Sequence, residues 1–256
     1  MVDAITAELL RPALYVVLAT AVVAGFVRGM AGFGAGLILT PVFSAFYGPL
    51  LAVPALNLTD WSMGMPITTR AWRQCRWRDV LPLLLPAMAM IPVGAWLLRY
   101  TDPVLLRIAM SGFILVAVSL MAAGWRYRGT PGVAVTTLVG MVSGTIGGAI
   151  GMSGPPVVLF WLAGQADAAR ARLNTFAYFG VLGVVTIATF AFHGLFTVRT
   201  LALTACLMPA YGLGLFLGAR AFARVSEGVF RWIAFGLIGA TSLVTLLVAL
   251  NEALSR

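Results

Sequence analysis

Apolar segments of about twenty residues recur along nearly the whole chain, and they limit its fold more than any other feature. A helix needs about 20 residues to cross the roughly 30 Å of hydrocarbon in a bilayer. Hydrophobic residues make up 61% of the 256 residues and charged residues only 10%, too few charges to cover a water-soluble surface. The sequence therefore predicts an all-α polytopic membrane protein with about eight full transmembrane helices. These segments run roughly over 12–29, 50–69, 80–98, 103–124, 132–149, 173–192, 200–218 and 231–250.

Two further apolar segments, 36–47 and 153–163, are too short to cross a bilayer. Each follows a glycine-rich stretch, so we expect two short broken or re-entrant helices. The order of segments then predicts two membrane repeats, 1–128 and 129–256, with five apolar segments each. Because five is an odd number, the second repeat is expected to be inverted relative to the first. With a shift of 115 residues, Gly25, Gly29, Gly32, Gly36, Pro41 and Val42 fall on Gly140, Gly144, Gly147, Gly151, Pro156 and Val157.

The basic residues of this chain are all arginines, and their distribution predicts its orientation. Short cytoplasmic loops of membrane proteins are enriched in positive charge. The arginine-rich loop 70–79 is therefore expected inside, the loop 193–199 outside, and both termini on the non-cytoplasmic side. The net charge of +9 is dispersed between apolar runs, so it does not indicate a nucleic-acid partner. Arginines expected inside are Arg70, Arg73, Arg76, Arg78, Arg126, Arg128, Arg170, Arg172, Arg220, Arg224 and Arg231.

The two glycine-rich stretches are the first candidate binding feature. Glycines without a Cβ let the backbone leave the helix, and each short segment then begins with a helix N-terminus, which attracts anions. Arg28 lies nearby and would add positive charge. Close helix packing is the alternative, because several glycines recur at four-residue spacing. Candidate substrate-binding residues here are Arg28, Gly32, Gly34, Gly36, Thr40, Pro41, Gly147, Gly151, Ser153, Gly154 and Pro155.

Polar residues inside apolar segments are the second candidate feature. Asn57 and Thr59 lie within segment 50–69, and Asn174 and Thr175 begin the matching segment of the second repeat. Such groups either bond neighbouring helices or bind a solute, and we count all four as candidate binding residues. Asp60 either balances a nearby arginine or carries a coupled proton. It would lie at a shallower depth if Met63-Gly64-Met65-Pro66 interrupts the helix.

Signatures of catalysis, metal binding and cofactor binding are missing from the sequence. It has no HExxH, CxxC, GxSxG or Walker motif, and His193 ends an apolar segment, as a loop residue would. We therefore expect no catalytic residues, no metal and no cofactor. A membrane-embedded enzyme and a transporter of a metal cation or another small solute remain the alternatives to an anion transporter. The oligomeric state stays open, and a homodimer is compatible with the sequence.

At both breaks the sequence resembles that of a known family. The stretches GFVRGMAGFGAGLILTP and GMVSGTIGGAIGMSGPP are similar to those of the sulfite exporter TauE/SafE family. Thr40-Pro41 departs from the second proline that many relatives carry. The resemblance implies a multi-pass protein of the bacterial-type cytoplasmic (inner) membrane. It also implies a secondary transporter that exports a small anion, a sulfur oxyanion or organosulfonate such as sulfite or sulfoacetate.

Overall fold

The computed structural model describes residues 6, 8–123, 132–163 and 168–222, and this part of the chain is helical without any strand. The short connections between helices match the glycine, proline and arginine clusters that separate the apolar segments. The described residues form nine helices: α1 (Pro12–Ala31), α2 (Ala35–Tyr47), α3 (Pro49–Gln74), α4 (Trp77–Tyr100), α5 (Pro103–Ala122), α6 (Val133–Ile150), α7 (Gly154–Ala163), α8 (Ala168–Phe192) and α9 (Val198–Ala221).

Six of the described helices, α1, α4, α5, α6, α8 and α9, are long and apolar enough to cross a membrane. The prediction of a polytopic, all-helical membrane protein is therefore confirmed. Helix α3 has 26 residues but carries Asp60 and several arginines, and it is not among the six. The expected segment 231–250 lies outside the described residues, as do the predicted repeat boundary and the ends of the chain, so eight full spans stay a prediction.

Glycine ends the helices at both expected breaks. Helix α1 ends at Gly32 (φ 82°), α2 begins after Gly34 (φ 100°) and α6 ends at Gly151 (φ 72°). These φ values belong to the left-handed region, which costs glycine little because it has no Cβ. The helices that follow, α2 and α7, have only 13 and 10 residues.

Helices α1 and α9 pack in parallel through glycine. A Cβ on Gly25 would meet the backbone of Tyr211 and Leu215, and one on Gly29 would meet Leu215 and Ala219. The contacts of Gly29 lie four residues further along α9 than those of Gly25, so the two helices run in the same direction. Backbones approach this closely only where a side chain is missing, as in other small-residue interfaces of membrane helices.

Helices α4 and α6 form a second interface of the same kind. A Cβ on Gly144 would meet Ala87, and one on Gly148 would meet Ile91 and Ala95, so these helices are also parallel. Gly140, which would meet Leu83, continues the same series one turn earlier. The two interfaces thus share a four-residue glycine spacing, one turn of helix.

The contacts between helix ends define two ends of the bundle. The first, which we call the Glu8 end, brings Glu8 to Arg199 at the start of α9. The opposite end, which we call the Arg172 end, brings Arg172 of α8 to the last carbonyls of α1. Helix α1 starts at the Glu8 end, whereas α4 and α6 start at the Arg172 end. Helices α1 and α6 therefore run in opposite directions.

Helix α3 passes continuously from Pro49 to Gln74, packing against α8 and α9. The expected interruption at Met63-Gly64-Met65-Pro66 is wrong. Pro54 and Pro66 both lie inside the helix. Membrane helices tolerate proline because neighbouring helices and side chains satisfy the freed backbone groups.

Candidate functional site

The two helix breaks meet in the middle of the bundle. A Cβ on Gly36 would collide with the carbonyl oxygen of Gly151, and one on Gly154 would lie 3.2 Å from the ring of Phe33. Beside this contact lies a cavity of about 60 Å³. That volume gives room for a few water molecules or one small anion. Its walls come from α1, α2, α3, α8 and the turn between α6 and α7.

An ion pair between a buried arginine and a partly exposed aspartate forms one wall of the cavity. The Arg28 Nε donates to Asp60 Oδ1 at 2.8 Å, and the hydroxyl of Tyr211 donates to the same oxygen. Burying an unpaired charge costs several kcal/mol, and this pairing offsets much of that cost. The structure therefore supports the first of the two roles expected for Asp60, balance of Arg28.

Two aromatic rings hold the guanidinium of Arg28. Its Cζ lies 4.7 Å from the ring centroid of Phe176 and 4.7 Å from that of Phe179. Each such cation–π contact contributes about 2 kcal/mol when desolvated. Arg28 is only 4% exposed, and its Nη1 has no hydrogen-bond partner among the described residues. A buried guanidinium N–H at a cavity wall is a ready donor for an anion.

Helix N-termini face the same cavity from two sides. Helix α2 begins at the cavity with Ala35 and Gly36. Their N–H groups lie in the first turn, where the helix itself offers no hydrogen-bond acceptor. Helix α7 begins there with Gly154, but Pro155 and Pro156 that follow lack an N–H. The two breaks are thus chemically unequal, and α2 offers more backbone donors than α7.

The structure brings about half of the predicted binding residues to the cavity. Asn57, expected there on α3, lies beside Gly151 and also donates from Nδ2 to the Val53 carbonyl at 2.9 Å. Ser153 is 8% exposed and lines the turn between α6 and α7. Predicted residues that line the cavity are Arg28, Gly34, Gly36, Asn57, Asp60, Gly151, Ser153, Gly154 and Pro155.

Asn174 and Thr175, at the start of α8, lie away from the cavity. The Oδ1 of Asn174 accepts from the backbone N–H of Arg76 at 3.0 Å, which places it at the Arg172 end. Thr175 donates to the Ala171 carbonyl at 2.7 Å within its own helix. The structure therefore does not bring Asn57 and Asn174 together. Matching positions in two repeats need not lie close to each other in the folded protein.

Five other predicted residues do not line the cavity. Thr59 donates to the Ala55 carbonyl at 2.8 Å, and Gly32 packs against the side chain of Arg172. Gly147 packs against Ser153. Pro41 and Thr40 are buried within α2 and do not line the cavity.

Three aromatic residues outside the set of predicted binding residues also line the cavity. Phe33, Phe179 and Trp61 line the cavity, and the indole Nε1 of Trp61 donates to the Gly180 carbonyl at 3.0 Å. In the sequence of an apolar helix, a phenylalanine that faces a cavity cannot be distinguished from one that faces lipid. The position of Trp61 beside Asp60, in the middle of a segment, was the one available signal.

Metal-binding clusters are absent from the described residues, where no three His, Cys, Asp or Glu side chains lie close together. His193 lies in the turn after α8, where its carbonyl accepts from Arg99. Cys75 follows α3, and partial burial raises the pKa of its thiol. A raised thiol pKa means less reactive thiolate at neutral pH, which fits a structural cysteine.

Comparison with known proteins identifies the family. A family model described as sulfite exporter TauE/SafE matches residues 17–245, which include both breaks, the cavity and every helix from α2 to α9. No curated protein and no solved structure matches the chain. The chain therefore belongs to the sulfite exporter TauE/SafE family, whose members are membrane transporters of sulfur-type anions.

Proposed function

We propose that this protein is a secondary transporter that exports a small sulfur oxyanion or organosulfonate across the cytoplasmic membrane. The observation that carries the proposal is Arg28, which lines a cavity between two helix breaks and has a buried Nη1 without a partner among the described residues. Asp60 balances the charge of Arg28, so the positive balance at the cavity comes from the N-termini of α2 and α7, each of which adds about half a charge. These features favour an anion over a cation or a neutral solute.

We propose, further, that the chain consists of two inverted five-segment repeats, with the Arg172 end inside. Two parallel glycine interfaces support this proposal, α1 with α9 and α4 with α6. Each joins a helix of the first repeat to one of the second, and an inverted repeat predicts such a matching pair of interfaces. The arginine-rich stretch 70–79 covers the end of α3 and the start of α4 and lies at the Arg172 end, as positive-inside orientation requires. The Glu8 end would then face the outside of a bacterial-type inner membrane.

The charges of the site favour a monoanion as the substrate. Arg28 and Asp60 cancel each other, and the two helix N-termini are opposed by the C-terminus of α6 at Gly151. The remaining positive charge is about one half. The C-terminus of α1 does not oppose them, because Arg172 donates to the carbonyls of Gly29 and Met30. We therefore expect hydrogen sulfite or a sulfonate to bind better than sulfate.

Ligand-dependent thermal stability of the purified protein tests the proposal. A ligand that binds only the folded state raises the unfolding temperature by an amount set by its concentration relative to its Kd. Sulfite and methanesulfonate should stabilise the protein, whereas sodium ions at constant ionic strength should not. Taurine, a sulfonate whose ammonium group cancels its charge, should stabilise it less. Losing a hydrogen bond to a charged group weakens binding about tenfold to a hundredfold, so Arg28→Gln should abolish most of the shift.

Two further variants keep this test decisive. Arg28→Gln leaves Asp60 without its partner, so the double variant Arg28→Gln/Asp60→Asn restores electrical balance if the single variant does not fold. Arg220→Gln, at the exposed end of α9, removes the same charge away from the cavity and should retain the ligand shift. Equal stabilisation of wild-type and double-variant protein by every anion would refute an anion site at Arg28.

A further inference from the structure

Most buried threonine hydroxyls among the described residues donate to the carbonyl oxygen four residues earlier. Thr59, Thr186 and Thr204 do so at 2.8, 2.8 and 2.9 Å. This arrangement satisfies a hydroxyl inside an apolar helix bundle, where buried polar groups are almost always hydrogen-bonded.

Thr40 and Ser44 on α2 depart from this rule. Both side chains are 0% exposed, and neither hydroxyl has a hydrogen-bond partner within the part of the chain that the structure describes. The same holds for Ser111 on α5, a helix that packs against α2. Valine or alanine would fill these positions without leaving an unsatisfied hydroxyl, so packing alone does not explain the hydroxyls.

These hydroxyls connect the cavity with the Glu8 end. Residues 40, 44 and 47 are spaced one helical turn apart, so Thr40, Ser44 and Tyr47 share one face of α2 over about 10 Å. At the inner limit, the Thr40 hydroxyl lies 3.7 Å from the position of a Cβ on Gly151, which lines the cavity. At the outer limit, the guanidinium of Arg199 lies 5.6 Å from the ring centroid of Tyr47.

An ion pair closes the outer limit of this face. The Nε of Arg199 donates to Glu8 Oε1 at 2.7 Å, with the arginine side chain 42% exposed and the glutamate side chain 5% exposed. Arg199 is thus reachable from solvent, whereas its carboxylate partner is buried. An arginine in this position can attract an anion that arrives from the cavity.

We propose that Thr40, Ser44 and Tyr47 form a hydroxyl path along which the anion leaves the cavity, with the Glu8–Arg199 ion pair as its outer gate. This inference rests on the proposed function. Hydroxyl donors replace part of the hydration shell of an anion in a bundle without bulk water. The missing partners of Thr40 and Ser44 in this structure are then the anion and the water that accompanies it.

Anion efflux from proteoliposomes tests the hydroxyl path. The variant Thr40→Val/Ser44→Ala removes both hydroxyls at nearly constant volume, and it should slow efflux of radiolabelled sulfite at least about tenfold. Its thermal shift with sulfite should equal that of the wild type, because neither residue lines the cavity. Thr204→Val is the matched control: it removes a buried hydroxyl on α9 that donates to its own helix, and efflux should stay unchanged.

Thr40→Ser gives a second, independent measurement. Serine keeps the hydroxyl, so Thr40→Ser should retain the efflux of the wild type, whereas Thr40→Val should slow it. A purely steric role of Thr40 predicts the reverse, because valine matches the shape of threonine better than serine does. Wild-type efflux by the Thr40→Val/Ser44→Ala variant would overturn the path while leaving the cavity site intact. Absence of anion binding and of efflux in the wild type would instead refute the proposed function.

Discussion

At the residue scale, the central feature is an arginine whose charge is buried and only partly bonded. Sequence analysis could pair Arg28 with Asp60, since isolated charges in apolar segments require partners. It could not find Tyr211, which bonds the same carboxylate from α9, 151 residues away along the chain. Nor could it find Phe176 and Phe179, because the helical face that meets Arg28 depends on how α1 and α8 pack.

The first prediction concerns Asp60→Asn, which removes one negative charge from the cavity and keeps an oxygen for Arg28 and Tyr211. A dianion gains more than a monoanion from the added positive balance, because the Coulomb energy scales with ligand charge. We expect sulfate affinity to rise relative to methanesulfonate affinity by about tenfold to a hundredfold. Thermal shifts across a concentration series of each anion measure the ratio.

The control for Asp60→Asn is Asp79→Asn. Asp79→Asn changes the net charge of the protein by the same amount as Asp60→Asn. Asp79 lies in the first turn of α4 and lines no part of the cavity. Its anion selectivity should match the wild type. An unchanged sulfate-to-methanesulfonate ratio in Asp60→Asn would show that the carboxylate does not set charge selectivity.

At the element scale, the sequence predicted most helices but not which helices pack together. The apolar segments located α1 to α9 within a few residues, because each must bury or present an apolar surface. The glycines also predicted the breaks at Gly32 and Gly151. The pairing of α1 with α9 and of α4 with α6 could not be predicted, since a four-residue glycine series indicates a close contact without indicating the helix on its other side.

The second prediction tests this glycine interface. Gly29→Ala would place a Cβ against the Leu215 carbonyl and 2.7 Å from the Ala219 nitrogen, so α1 and α9 must separate. Overpacking of this kind costs about 1–3 kcal/mol, and the unfolding temperature in detergent should fall. Gly148→Ala should have a similar effect, because it meets Ile91 and Ala95 in the same way.

Gly112→Ala serves as the control for both glycine variants. No atom lies within 4 Å of a Cβ at Gly112, which is in the middle of α5. Alanine there should leave stability unchanged or raise it by about 0.5–1 kcal/mol, since it reduces the entropy of the unfolded chain. Equal unfolding temperatures for Gly29→Ala and Gly112→Ala would contradict the close packing of α1 and α9.

At the scale of the whole molecule, the arrangement of charge across the bundle bears on direction. The described arginines concentrate at the Arg172 end, and the proposed hydroxyl path leads to the Glu8 end. With the cytoplasm negative, moving one negative charge outward releases about 2.3 kcal/mol per 100 mV, so a passive path for an anion already favours export. The chain carries no ATP-binding motif, and Asp60 is the one carboxylate that lines the cavity within the described residues.

The last prediction separates a passive path from proton coupling. In proteoliposomes loaded with methanesulfonate, a monoanion at every working pH, a passive path predicts efflux that carries net charge and follows an imposed membrane potential at constant pH. Asp60→Asn should then change selectivity without removing the response to potential. If Asp60 carries a proton during transport, a pH gradient should drive efflux by the wild type, and Asp60→Asn should lose that response because an amide cannot exchange the proton.

The pairing of Asp60 with Arg28 favours the passive path, since the carboxylate already forms an ion pair with a buried cation. Efflux that is identical at zero and at large potential, and that ignores a pH gradient, would exclude both mechanisms and indicate electroneutral exchange.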